Sequence, residues 1–354
     1  RILRAPRNPA AFETGFWAGG LHFDHVFDYS YDGIMRAYED SLQRLRSSKE
    51  YLDSLDRRNN RLRWGALLSG YTYYRRHDST SYSIGSPLTT VNFNTVQGLN
   101  LYISTGFTKS FASRDYLSIS QDVSYGFSNL RWGYSLSANY QYNRDKFARI
   151  NLSGGIKPVQ FNAGNPISPF VNTLYTLLDG HNHMKLYEKS WIGLTHSSEL
   201  VNGFYLTAGI EYARRDALLN STDYSWVKSS RNRFTSNDPR DPLNEGPAFS
   251  PNNSLTIKAS FRIRIRQKYI SIPEKVVFGS DYPDIIISYV KGIPGFLGSD
   301  VDYDFFRAGL EGSQKIGPFG TLQYRGLYGT FFNNRKMEFM DYHHFDGNRT
   351  IFGR

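Results

Sequence analysis

The residues best placed to do chemistry lie between Ser254 and Arg266, where Lys258, Arg262, Arg264 and Arg266 alternate with Ile257, Phe261, Ile263 and Ile265. Successive side chains of a strand point to opposite faces, so this spacing gathers the cations on one face and apolar residues on the other. If the apolar face meets lipid, the cations must point inward, because a Lys or Arg aimed at lipid near the midplane costs about 2 to 4 kcal/mol. A basic lumen wall of this kind favours anions or an acidic plug. The competing arrangement is a network neutralised by carboxylates on adjacent strands, for which Glu211 and Asp122 are available.

Other groups fit chemistry less well. Asp300, Asp302 and Asp304, with Glu311 after them, occupy spacings of a calcium loop, but the position that needs glycine for the sharp turn is Phe305. They form a weak calcium candidate, and no metal is expected. Histidines come as His22 and His25, His181 and His183, and His343 and His344, without the helical spacing of a zinc pair. His196, Ser197 and Glu199 hold the atom types of a nucleophile and its base, yet neighbours on a strand point apart. With 0 Cys there is no thiol nucleophile or disulfide. These residues point to a non-enzymatic protein without a cofactor; a barrel enzyme with a rim active site is the alternative.

A formal charge of +10 suits anionic surfaces such as lipopolysaccharide phosphates, anionic solutes or nucleic acid. Nucleic acid is not expected, because the aromatics alternate with Gly, Ser and Asn along whole strands, which lipid exposure explains. The expected partners are outer-membrane lipid and lipopolysaccharide, with other envelope proteins.

The elements that must carry these residues read as strands. Alternation recurs at Leu99 to Phe107, Leu117 to Phe127, Arg131 to Tyr142, Ala148 to Ile156, Phe204 to Tyr212, Tyr303 to Gly312 and Phe319 to Phe332. These runs approach the roughly ten residues with which a tilted strand crosses a bilayer. Turn-forming clusters separate several of them: Ser113-Arg114-Asp115, Ser128-Asn129, Asn143-Arg144-Asp145 and Gly317-Pro318. Residues 220–253, rich in Ser, Asn, Asp and Pro, read as a long surface loop. Aromatics at 16% beside a mean hydropathy of -0.50 fit a sheet with one lipid-facing and one polar face.

The expected fold is therefore all-β, an antiparallel transmembrane β-barrel of the outer-membrane type. Short helical segments are expected near 34–55 and 167–188, the second packed in or against the lumen. Residues 1–61 read as a periplasmic pre-barrel segment with an amphipathic helix, and 62–354 as the barrel, incomplete at its C-terminus. The start at Arg1 without a leader fits a piece of a longer protein. A soluble β-rich binding protein is the competing class.

Several motifs resemble a Bacteroidota outer-membrane family. They are the run from Tyr51 to Asn60 (YLDSLDRRNN), Phe93 to Gly98 (FNTVQG), Asn172 to Tyr175 (NTLY), Met184 to Lys189 (MKLYEK), Gly292 to Gly295 (GIPG) and Met340 to Asn348 (MDYHHFDGN). Members of that family carry a carboxypeptidase-regulatory-like β-domain before a barrel domain of unknown function. The resemblance implies a bacterial outer-membrane location. By analogy with TonB-dependent importers, which carry the same regulatory-like domain, it also implies a role in envelope transport or assembly, as a channel or as the anchor of a periplasmic domain.

Overall fold

The computed structural model describes residues 31–227, 234–271 and 275–344. The chain divides into two compact units, Arg1–Arg61 with Tyr73–Asp78 and Leu62–Thr72 with Ser79–Arg354. No helix among the described residues is long and apolar enough to cross a membrane.

Among the described residues the first unit holds two helices, α1 (Tyr31–Ser47) and α2 (Lys49–Asn59). The single helix expected over 34–55 is thus broken. Ser48 has extended backbone (φ -65, ψ 143), and its side chain accepts from Tyr51 N, so it caps α2. The end of α2 is tied within the unit. Asp56 accepts from the backbone and guanidinium of Arg76, and the Asn60 amide exchanges two hydrogen bonds with the backbone of Tyr74, at 2.7 and 2.8 Å.

The second unit is predominantly antiparallel sheet. The strands are β1 (Tyr71–Arg75, whose residues from Tyr73 on belong to the first unit), β2 (Thr80–Ile84), β3 (Val91–Asn94), β4 (Gly98–Ser110), β5 (Tyr116–Gly126), β6 (Arg131–Asn143), β7 (Ala148–Gln160), β8 (Leu186–Val201) and β9 (Phe204–Ala217). After these come β10 (Asn252–Arg264), β11 (Lys268–Ser271), β12 (Lys275–Gly279), β13 (Asp284–Gly292), β14 (Asp302–Lys315) and β15 (Thr321–Lys336). The sheet runs β1-β2-β4-β5-β6-β7-β8-β9-β10-β13-β14-β15, with β3 also paired to β4, while β11 and β12 form a separate hairpin.

Each alternating run read in the sequence lies within or largely overlaps one of these strands. The expected closure is not met, because among the described residues no strand links β15 back to β1 and the sheet is open. The edges are mismatched. β15 is 16 residues long, whereas the opposite edge is broken into pieces of 5, 5 and 4 residues in β1, β2 and β3. A barrel requires its terminal strands to pair in register.

Meander connectivity places the connections at two ends. One end has tight turns at 111–115, 144–147, 202–203 and 316–320, plus the excursion 265–283 that holds β11 and β12. The other end holds the turn 127–130 and the longer segments 161–185, 218–251 and 293–301.

The buried apolar side chains gather in that loop end. Val96, Met184, Leu186 and Leu218 form one cluster. Phe161, Tyr187, Ala248 and Phe249 form another, against which Phe339 and Met340 pack. The expected surface loop 220–253 is therefore partly core. Asn237 shows why: its amide accepts from Leu186 N and donates to the carbonyls of Leu186 and Leu218, pinning the loop to the start of β8 and to the residue after β9.

The helix expected near 167–188 is shorter, a turn of α-helix at Pro169–Leu174 continuing as a π-turn to Asp179, and Leu186 to Glu188 already belong to β8. Asn172 accepts from Met184 N at 3.0 Å, and Thr173 receives Phe93 N at 2.8 Å. Asn94 caps the tight turn before β4 by accepting from Val96 N and Gln97 N. Gly98 follows with φ +66, and a Cβ there would stand 2.6 Å from Ser128 Cβ.

Candidate functional site

The strand β10 carries Lys258, Arg262 and Arg264 on the polar face of the sheet. Arg266 lies beyond its end, with φ 51 in the following turn, where it donates to the Tyr282 hydroxyl at 3.0 Å. Arg266 is thus not part of the basic face. The left-handed backbone ends the alternation one repeat earlier than the sequence suggests.

Register explains what surrounds the remaining cations. Arg264 stands directly opposite Asp284 on β13, Asp284 opposite Glu311 on β14, and Glu311 opposite Arg325 on β15. Two carboxylates facing each other across neighbouring strands repel. Arg262 sits between them, with Nη1 3.2 Å from Asp284 and 2.5 Å from Glu311. Arg264 clasps Asp284 through Nε at 2.9 Å and Nη2 at 2.7 Å, the fork geometry that guanidinium offers a carboxylate. Arg325 approaches Glu311 at 3.6 Å. Arg262 and Arg264 are therefore ion-paired, neutralised by Asp284 and Glu311, with Asp122 taking no part in this row. Lys258 is exposed, and its charge bears on Glu211.

Glu211 and Asp122 serve a second row that the sequence reading missed. Lys157, Lys189 and Arg215 stand directly opposite one another across β7, β8 and β9. Each has its own carboxylate: Asp122 at 3.0 Å, Glu211 at 2.9 Å and Asp341 at 2.6 Å. The Arg215 and Asp341 side chains are only 3% and 6% exposed, so removing either would strand a buried charge, at a cost of about 3 to 5 kcal/mol. Asp122 reaches Lys157 across β6, where the intervening Ser135 hydroxyl joins both. Only the Lys189–Glu211 pair joins adjacent strands; Asp122 lies two strands from Lys157 and Asp341 lies in the turn after β15, so strand alternation alone does not reveal the row.

The acidic triplet does not converge. Asp300 accepts from Asn253 N and from Lys336, both at 3.0 Å; these contacts, the backbone N–H first, hold its carboxyl below the usual carboxylate range. Asp302 takes Asn333 at 2.6 Å, and Asp304 takes Lys291 at 2.9 Å and the Tyr289 hydroxyl. No cluster of metal-ligating side chains exists among the described residues. Phe305 is a mid-strand residue of β14, so the calcium-loop turn never forms.

The histidines are dispersed. His181 stacks on His183, His343 on Phe305, and His344 bonds the Phe339 carbonyl, while His22 and His25 lie outside the described residues. His196 and Ser197 also part company, to Tyr142 at 2.8 Å and Arg149 at 2.8 Å. Glu199, the nearby carboxylate, is buried with Lys275, Gln267 and Gly203 N. No nucleophile and base meet there.

Beside the row of Arg264, Asp284, Glu311 and Arg325 lies an open cavity of about 650 Å³, walled on another side by β12. This cavity, at the tight-turn end of the polar face, is the site the arrangement offers for binding.

Residues 65–354 match the family described as "Family of unknown function (DUF5686) C-terminal domain". A 40-residue stretch is 58% identical to pyridoxal 4-dehydrogenase of Microbacterium luteolum; it covers 11% of this chain and 11% of that enzyme, so no activity follows from it.

Proposed function

The chain belongs to the DUF5686 C-terminal domain family, and from that premise we propose that it is a non-enzymatic outer-membrane β-barrel protein acting in envelope transport or assembly. The observation that carries this reading is the chemistry of the sheet's two faces. On one, apolar side chains run in register across consecutive strands, as in Ile103, Val123, Tyr134 and Ile156, and again in Leu152, Leu194, Ile210 and Ile257. Leu152, Leu194, Ile210 and Ile257 are each 43 to 50% exposed. Contiguous exposed apolar surface on this scale marks contact with a membrane or partner. The other face carries the two ion-paired rows, as expected of a lumen wall.

In this reading the tight turns face the periplasm and the long segments face the exterior. In the membrane both edges of the open sheet need strand partners, since lipid offers backbone groups none. The buried loop end favours anchoring or gated opening over a permanently open pore. Fractionation tests the assignment: the chain is expected with the outer membrane, extracted only by detergent. Recovery as a monodisperse protein in detergent-free buffer would overturn it in favour of a soluble β-rich binding protein.

A further inference from the structure

We propose that the cavity between β10, β12, β14 and β15 binds a saccharide bearing one phosphate or carboxylate. The wall carries three guanidiniums, Arg262, Arg264 and Arg325, against the two carboxylates of Asp284 and Glu311, an excess of one positive charge. That excess is not evenly engaged. Asp284 occupies Arg264 bidentately and also takes Arg262 Nη1 at 3.2 Å, while the same Arg262 Nη1 and Arg325 Nε share the two oxygens of Glu311, the second at 3.6 Å, so Arg262 Nε and Nη2 are left over. Each guanidinium has five N–H donors, so Arg262 and Arg325 retain capacity for an anion held between them. Both are accessible, at 42% and 60%.

A bare ion would leave most of the roughly 650 Å³ empty, a volume in the range of small-molecule sites. The rest of the wall suits a sugar. Phe278 exposes aromatic surface, at 65%, on which the C–H face of a pyranose can pack, and Tyr282 beside it carries Arg266 over one side of its ring. Gln323, Ser280 and Ser313 supply amide and hydroxyl partners for ring hydroxyls.

This inference rests on the reading of the polar face as a solute-facing wall. Binding by detergent-solubilised protein and partition into membrane are separate measurements, however, so either can fail alone. Calorimetric titration of the solubilised chain with glucose 6-phosphate, glucuronate, glucose and inorganic phosphate tests it. Both acidic sugars are expected to bind at least about tenfold more tightly than glucose or phosphate. R262Q and R325Q should each lose about tenfold, and R214Q, on β9 away from the cavity, should lose none. Because Arg262 also holds strands together, F278A supplies a variant with every ion pair intact; it should weaken glucose 6-phosphate without changing phosphate. Competition by lipid A micelles distinguishes the source: displacement of glucose 6-phosphate supports a lipid headgroup, and no displacement supports a free solute. Phosphate binding as tightly as glucose 6-phosphate would mean an adventitious ion only and overturn the proposal. So would no binding of either acidic sugar, or binding that R262Q, R325Q and F278A all leave unchanged.

Discussion

Arg262 bridges Asp284 and Glu311, two carboxylates that register alone would set against each other. Side chains elsewhere are held by similarly local balances. Lys185, just before β8, donates to the Thr235 hydroxyl and carbonyl, and burial pushes its ammonium down to about 8 from 10.5. The sign of the effect follows from proton uptake. Between those values the unfolded chain binds the proton that the folded chain has released, so stability rises with pH across the window, and below it the full cost of burying the charge remains. The expected gain from pH 8 to 10.5, reduced for partial exposure, is about 1 to 2 kcal/mol. Thermal unfolding in detergent checks it: K185M should lack this component of the rise, and pH profiles identical to wild type would contradict the assignment. None of this was legible in the sequence, where Lys185 is only one residue of the MKLYEK motif. The basic residues of β10 were legible, but their partners were not.

The reason lies at the level of elements. Strands with one apolar and one polar face announce themselves, and β4, β5, β6, β7, β9, β10, β14 and β15 follow the alternation closely. β13 does not. Its run Ile285-Ile286-Ile287 is apolar on both faces, with Ile286 6% exposed beneath the polar side chains, so no alternation marks it. Missing β13 hid Asp284, and with it the neutralisation of Arg262 and Arg264. The loop end was obscured differently, because its order comes from long-range contacts of short polar side chains. Asn172 and Asn237 each satisfy backbone groups of other segments, and Asn94 those of its own turn. Much of the family resemblance falls here, at FNTVQG, NTLY, MKLYEK and the described start of MDYHHFDGN. Replacing Asn237 with Ala leaves the Leu186 N–H and two carbonyls without their partner, a loss of about 2 to 4 kcal/mol. The variant should melt earlier in detergent and be cleaved faster within 234–251; unchanged melting and cleavage would show that the loop is held by its apolar contacts instead.

At the scale of the whole sheet-bearing unit, ordinary burial is inverted: the apolar side chains of the mid-sheet are exposed, and the opposite face is polar and paired. Two tryptophans mark the faces. Trp132 on β6 is 69% exposed beside Tyr125, on the apolar face. Trp191 on β8 lies under the ammonium groups of Lys157 and Lys189, on the polar face. The central claim, that one face meets lipid and the other does not, is tested most directly by fluorescence quenching in bilayers of brominated lipid, using variants that keep Trp132 or Trp191 as the sole tryptophan. The account predicts that Trp132 loses about half its emission or more while Trp191 is nearly unaffected. Equal quenching of both, or none of Trp132, would contradict it.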